Sequence, residues 1–145
     1  MNYLAGTTIP DIIFAVYQFA KYIIDPKKSY GEAVKSIRPY LNNSKNKVLV
    51  FTPNGSNVLE CSANAYLSGE WRRENTDQVG SVLSGTGYII KFKKFPIVLV
   101  GKMQTEIALL TTEAEYISLI QSMKHLIPLM YIMLKVSSVF GMEFD

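Results

Sequence analysis

The sequence predicts a fold of mixed helices and strands, α+β or α/β, in which a helical N-terminal segment precedes a sheet covered by one long helix. Three observations carry this. Apolar residues recur at helical intervals between residues 8 and 41, alternate in short runs between 47 and 101, and return to helical spacing after 112. The first helical run starts at Thr8, an N-cap candidate, with Pro10 near the first turn, where a missing amide hydrogen does no harm. Ile12, Val16, Phe19 and Ile23, with Ile13 and Ala20 beside them, make one apolar face, and Asp25-Pro26 ends the helix near Ile24. Ser29 and Glu32 have capping-box spacing ahead of a second helix that carries Tyr30, Ala33, Val34, Ile37, Tyr40 and Leu41. Residues 1–45 therefore read as a helical hairpin, interrupted by Pro39, since an interior proline costs about 3 kcal/mol.

Residues 47–52 alternate into a short strand, Pro53-Asn54-Gly55 supplies a turn, and residues 57–65 return as a second strand. A glycine-rich stretch over 80–87 leads into a third strand at 88–92. Lys93-Lys94 turns the chain into a fourth at 95–101, and a further extended piece is expected near 107–110. Lys91, Lys93 and Lys94 suit a solvated edge or turn. Trp71, beside Arg72 and Arg73, has two readings: stacking on a base or ribose, or covering the end of the sheet after Gly69. In the last helix Thr112 and Glu115 form another capping-box spacing. A carboxylate there, at a helix start next to a sheet end, also suits metal-dependent phosphodiester chemistry. Tyr116, Leu119, Ile120, Met123 and Ile127 form the face expected to pack on the sheet. Pro128 is expected to kink the helix or begin a second piece running to about Val136. His125 has no Cys or Asp at ligand spacing and reads as an ordinary helix residue.

A chain of 145 residues, 48% apolar, can bury one core plus an appendage. Its net charge of +3 does not by itself imply a nucleic-acid partner. Between residues 21 and 47, however, Lys21, Lys27, Lys28, Lys35, Arg38, Lys45 and Lys47 face only Asp25 and Glu32. That density fits either a helical face tracking phosphates or a solvated helix surface. The single cysteine, Cys61, excludes an internal disulfide and points to a reducing, intracellular compartment, cytoplasmic or nuclear. No signal-peptide pattern opens the chain. The longest apolar run, 126–134, falls short of the roughly 20 residues that span a bilayer, so no membrane is expected.

Residues 104–119, QTEIALLTTEAEYISL, closely resemble the ribonuclease H region of copia-type retrotransposon polyproteins, whose pattern is close to QTEIALSTTEAEYIAL. The resemblance extends through residues 127–130 downstream and through 86–88, 96–98 and Lys102 upstream. Tyr3-Leu4, Pro10-Asp11-Ile12 and Phe14-Ala15-Val16 resemble the YLxxxTRPDIxFAV stretch before that domain, with Ile9 where the family has arginine. Ala33-Val34-Lys35 and Tyr40-Leu41 resemble the AVKRIxRYL helix that follows. The resemblance implies a ribonuclease H-like mixed sheet with a long helix, over residues 46–145, preceded by the segment that connects it to reverse transcriptase, over 1–45.

Such enzymes use four acidic residues around two divalent cations, Mg²⁺ in the family, that activate water and stabilise the leaving oxygen. Aligned on Gly69 and Trp71 with the family's DADxAGxW, the first acid falls on Asn64 and the motif's second aspartate on Tyr66. The second catalytic acid carries over to Glu115, with Glu113 its neighbour, and the third and fourth would follow Asp145. An amide supplies no negative charge to Mg²⁺. The expectation is a truncated, degenerate member with no productively bound metal, Glu115 alone being insufficient and Asn64 replacing an aspartate. The alternative is a noncatalytic module holding an RNA/DNA hybrid or other nucleic acid weakly through Lys27, Lys28, Lys35, Arg38, Arg72 and Arg73. Further expected partners are the rest of a retroelement polyprotein and, through an unpaired strand at 57–65, other copies of the chain.

Overall fold

The computed structural model describes residues 2–7, 9–20, 28–47, 50, 56–67 and 82–141. The chain divides into two compact units, Met1–Phe51 and Thr52–Asp145. In the first, α1 (Asn2–Thr7) leads through a 3₁₀ turn (Pro10–Ile12) into α2 (Ile13–Ala20), and α3 follows at Lys28–Ser44. Ala5, Ile12, Val16 and Ile37 form its buried core, with Ile9, Ile13, Ala15, Phe19 and Leu41 packed around them. Of the apolar face read from the sequence, Ile12, Ile13, Val16 and Phe19 pack in this core. Pro10 opens the 3₁₀ turn, whereas Thr8 and residues 21–27 lie outside the described residues.

Two local expectations change in this unit. Ser29 lies inside α3 rather than at its N-cap, so the spacing with Glu32 is not a capping box; Glu32 instead pairs with Lys35 at 3.2 Å on the exposed surface. Pro39 does not end the helix, which runs on to Ser44. Pro39 and Lys35, whose carbonyl loses its partner, are both exposed, so water can serve that carbonyl. The Tyr40 hydroxyl donates to Asp11 Oδ2 at 2.8 Å, tying α3 to the 3₁₀ turn. That bond to a carboxylate raises the Tyr40 hydroxyl above its ordinary pKa.

The second unit is α+β. Strands β1 (Leu59–Tyr66), β2 (Gly85–Phe92) and β3 (Phe95–Met103) form an antiparallel sheet in the order β1-β2-β3, and α4 (Thr111–Phe140) lies against it. Of the strand expected over 47–52, Lys47 and Val50 lie in no strand and the rest is outside the described residues. Residues 107–110 are likewise not a strand: Ile107, Leu109 and Leu110 are exposed and only Ala108 is buried. The β2–β3 turn is the Lys93-Lys94 pair, with φ of 49° and 67°, the left-handed geometry that a two-residue hairpin demands. Pro96 sits on the β3 edge, and the register shifts between Ile90 and Lys91 opposite it. Tyr66 pairs with Gly85 across the sheet, and its ring fills the space a Cβ at Gly85 would need.

Helix α4 packs on its small residues. Ala114, Ser118 and Ser122, at i, i+4 and i+8, are fully buried. Tyr116, Leu119, Ile120, Met123 and Ile127, the face expected against the sheet, are exposed, Tyr116 by 62% and Ile120 by 57%. The reason is distance. Serine and alanine let the helix come close enough for Ser118 Oγ to donate to the Asn64 carbonyl at 2.9 Å, which bulky side chains on that face would forbid. The helix also runs continuously through Pro128 to Phe140 and ends on Gly141 in the left-handed region, with its N–H on the Ser137 carbonyl. Pro128 and Lys124, four residues before it, are exposed, so the lost hydrogen bond faces solvent.

Candidate functional site

The start of α4 sets the position of Glu115. Its N-cap is Leu110, extended at φ −130° and ψ 153°, with no side-chain cap. The expected Thr112–Glu115 capping box is therefore two residues out of register. Glu113, at the third helical position, accepts from the Leu109 N–H at 2.7 Å through Oε2 and closes the turn before the helix. This frees Glu115, which is exposed and makes no hydrogen bond or ion pair with the described residues. Just upstream, Gln104 is buried and donates from Nε2 to the Ala114 carbonyl at 2.7 Å and to Thr86 Oγ1 at 2.9 Å, while its N–H meets the Ser84 carbonyl at 2.8 Å. These bonds fix the helix start to β2 and the end of β3.

Asn64 comes from β1, paired with Gly87 of β2. The hydroxyl of Tyr88 meets His125 Nδ1 of α4 at 2.9 Å, so Tyr88 faces the helix. Thr86 and Ile90 share that face by strand alternation, as do their cross-strand partners Ala65 and Cys61 and Tyr88's partner Ala63. Asn64, with Ser62 and Glu60, points to the other face. What Asn64 turns toward the helix is its carbonyl, held by Ser118. Burial beneath the helix raises the Tyr88 hydroxyl above its ordinary pKa, and the nearby Cys61 adds to the shift.

Residues 61–64 of β1 and Thr112, Glu115, Tyr116 and Leu119 of α4 enclose one open groove of about 630 Å³ along the β1 edge. The structure thus brings Asn64 and Glu115 to one groove, but among the described residues Glu115 supplies the only carboxylate lining it. Among the described residues no three His, Cys, Asp or Glu side chains gather where they could hold a metal ion. Among the described residues the groove therefore offers Mg²⁺ a single carboxylate, since the Asn64 amide points to the other face, and this is fewer anionic oxygens than a two-cation site uses.

A second groove, about 750 Å³, lies on α3 in the first unit, lined by Lys35, Arg38, Pro39, Leu41, Asn42, Asn43 and Lys45. Three cations and two amides there can donate to phosphate oxygens. Lys28 is exposed at the start of the same helix. Lys27, Arg72 and Arg73 lie outside the described residues. Lys45 joins the groove though it sits past the end of α3, a position that helical periodicity does not single out.

No protein-family model matches the sequence, and no solved structure matches it. The chain is 33% identical over 128 residues, 88% of its length, to the retrovirus-related Pol polyprotein from transposon TNT 1-94 of Nicotiana tabacum. It is 32% identical over 116 residues, 80% of its length, to that from transposon RE1 of Arabidopsis thaliana. It spans only 9% and 7% of those proteins. It is also 30% identical over 117 residues to the secreted RxLR effector protein 161 of Plasmopara viticola, covering 81% of this chain and 77% of that one. With this much of its length matched, the chain belongs to the retrovirus-related Pol polyproteins of copia-type transposons, of which it spans a short segment.

Proposed function

We propose that the chain is the ribonuclease H-like portion of a transposon polyprotein with the segment that precedes it, and that its hydrolytic site is inactive. The donor set of the β1 edge groove carries this reading: among the described residues Glu115 is its one carboxylate, and Asn64 stands where the family resemblance puts the first acid. Water activation by two cations needs more negative charge than that. Residues 1–145 are expected to show no cleavage of an RNA/DNA hybrid in Mg²⁺ or Mn²⁺. Asn64→Asp is expected not to rescue it, since strand alternation turns that side chain to the face away from the helix and a second carboxylate still falls short of the four the mechanism uses. Metal-dependent cleavage that disappears in Glu115→Ala would refute the reading.

A second reading, noncatalytic binding of nucleic acid, is favoured by the convergence of Lys35, Arg38 and Lys45 with two asparagines in one groove. Affinity for a hybrid duplex is then expected to be weak and to fall steeply with salt, because each neutralised phosphate releases counterions. Replacing Lys27, Lys28, Lys35 and Arg38 together by Ala should flatten the log–log salt dependence by about one unit for each phosphate no longer neutralised. A slope identical to that of the unmodified chain would assign these charges to solubility.

A further inference from the structure

The face of α4 turned away from the sheet carries an apolar stripe with its own periodicity. Ala114, Ser118 and Ser122 mark the sheet side. At about 100° per residue, Tyr116, Ile120, Met123, Ile127, Met130 and Leu134 fall on the opposite side. Each of the six is between 40% and 62% exposed. Their spacing alternates four and three residues, the 3.5-residue repeat of a helix–helix seam, with Ile120, Ile127 and Leu134 at one set of positions and Tyr116, Met123 and Met130 at the other. No charge falls inside the stripe, and Pro128 lies beside it.

We propose that this stripe is an interface between two copies of the chain, packed helix to helix with the sheets outermost. Two features select a second copy. The seam is self-complementary, since every position in it offers an apolar side chain and no charge lies within it. With Leu119 and Tyr131 on its flanks it also exposes apolar surface of the order of the roughly 800 Å² that each partner buries in a stable complex. By length and composition α4 could also cross a bilayer. Its first half, however, is tied to the sheet through Ser118, His125 and the Ala114 carbonyl. The interface is independent of the nucleic-acid reading; it shares Tyr116 and Leu119 with the β1 edge groove but uses no residue of β1 itself.

Sedimentation velocity on residues 1–145 across a wide concentration range tests it. The expected result is a reversible monomer–dimer equilibrium. Ile120→Lys with Ile127→Lys should weaken it by at least roughly 100-fold while leaving the circular dichroism spectrum unchanged, because both side chains are exposed in the single chain. Ser62→Lys, on the β1 edge, should leave it intact. Should the lysine pair unfold the chain, Ile120→Ala with Ile127→Ala decides instead, and an unaltered dimer affinity would then overturn the proposal. So would an unmodified chain that stays monomeric, or a dimer abolished by Ser62→Lys. A monomer that binds vesicles of phosphatidylcholine and phosphatidylserine through the two isoleucines would overturn it in favour of a lipid surface.

Discussion

Ser118→Leu is expected to unfold the second unit or to cost it more than about 3 kcal/mol, as overpacking and a severed polar contact act together. Ser118 is 0% exposed, its hydroxyl donating to the Asn64 carbonyl at 2.9 Å with the Gly87 carbonyl at 3.5 Å. A leucine needs room that the β1 and β2 backbones occupy. Ile120→Ser, two residues on, serves as the opposite control: the residue is larger and more apolar, yet its loss should change the stability of the single chain by less than about 1 kcal/mol. Chemical denaturation of the two variants at low protein concentration checks the pair. If Ile120→Ser proved the more damaging, α4 would be packing on its other face.

Gln104→Glu is the second large effect. The side chain is 1% exposed and keeps nearly the same shape, but the substitution replaces the Nε2 donor with an acceptor that faces the Ala114 carbonyl. An ionised carboxylate there is buried against a carbonyl oxygen, and the expected cost is about 3–5 kcal/mol near neutral pH. Burial would raise the folded-state pKa of the introduced carboxyl above its unfolded value of about 4.3. The protonated form is tolerated best, so the deficit should be least below the unfolded pKa and should grow as pH rises toward the folded one. Thermal melts at pH 4 and pH 7 measure this. A deficit equal at both values would mean that solvent reaches the site.

How much of this is legible in the sequence depends on the residue. The β2–β3 hairpin is, because Lys93-Lys94 falls between two apolar runs and the pairing of Phe92 with Phe95 leaves only a two-residue turn. The core of the first unit is too, since Ile12, Val16 and Ile37 sit at helical spacing on short helices with no competing apolar stripe. Helix α1 is not: six residues with a glycine at position 6 carry no periodic signal. The orientation of α4 is misread for a different reason. Two stripes compete on it, and hydrophobicity favours the one with Tyr116 and Ile120, whereas close approach to the sheet favours the small one. The i, i+4, i+8 recurrence of Ala114, Ser118 and Ser122 is the signal that could have found it. At the groove, sequence spacing names Asn64 and Glu115, and the structure brings both there. Spacing does not reveal that strand alternation turns the Asn64 amide to the opposite face, which depends on the register with Tyr88.

The two-residue turn at Lys93-Lys94 also sets an order of assembly. Its ends are already adjacent along the chain, so β2 and β3 can meet on the microsecond timescale of an isolated hairpin. Two non-glycine residues in the left-handed region cost roughly 1–2 kcal/mol each, so the cross-strand pairs must hold that hairpin together. β1 has no such advantage: residues 67–84 separate it from its partner, and α4 lies beyond the whole sheet. Closing the longer loop comes later, and until it closes the β2 edge that will receive β1 stands open, with Ile90 still in water. The interval between hairpin formation and the arrival of β1 is therefore when a nascent chain is most exposed to pairing with the wrong strand.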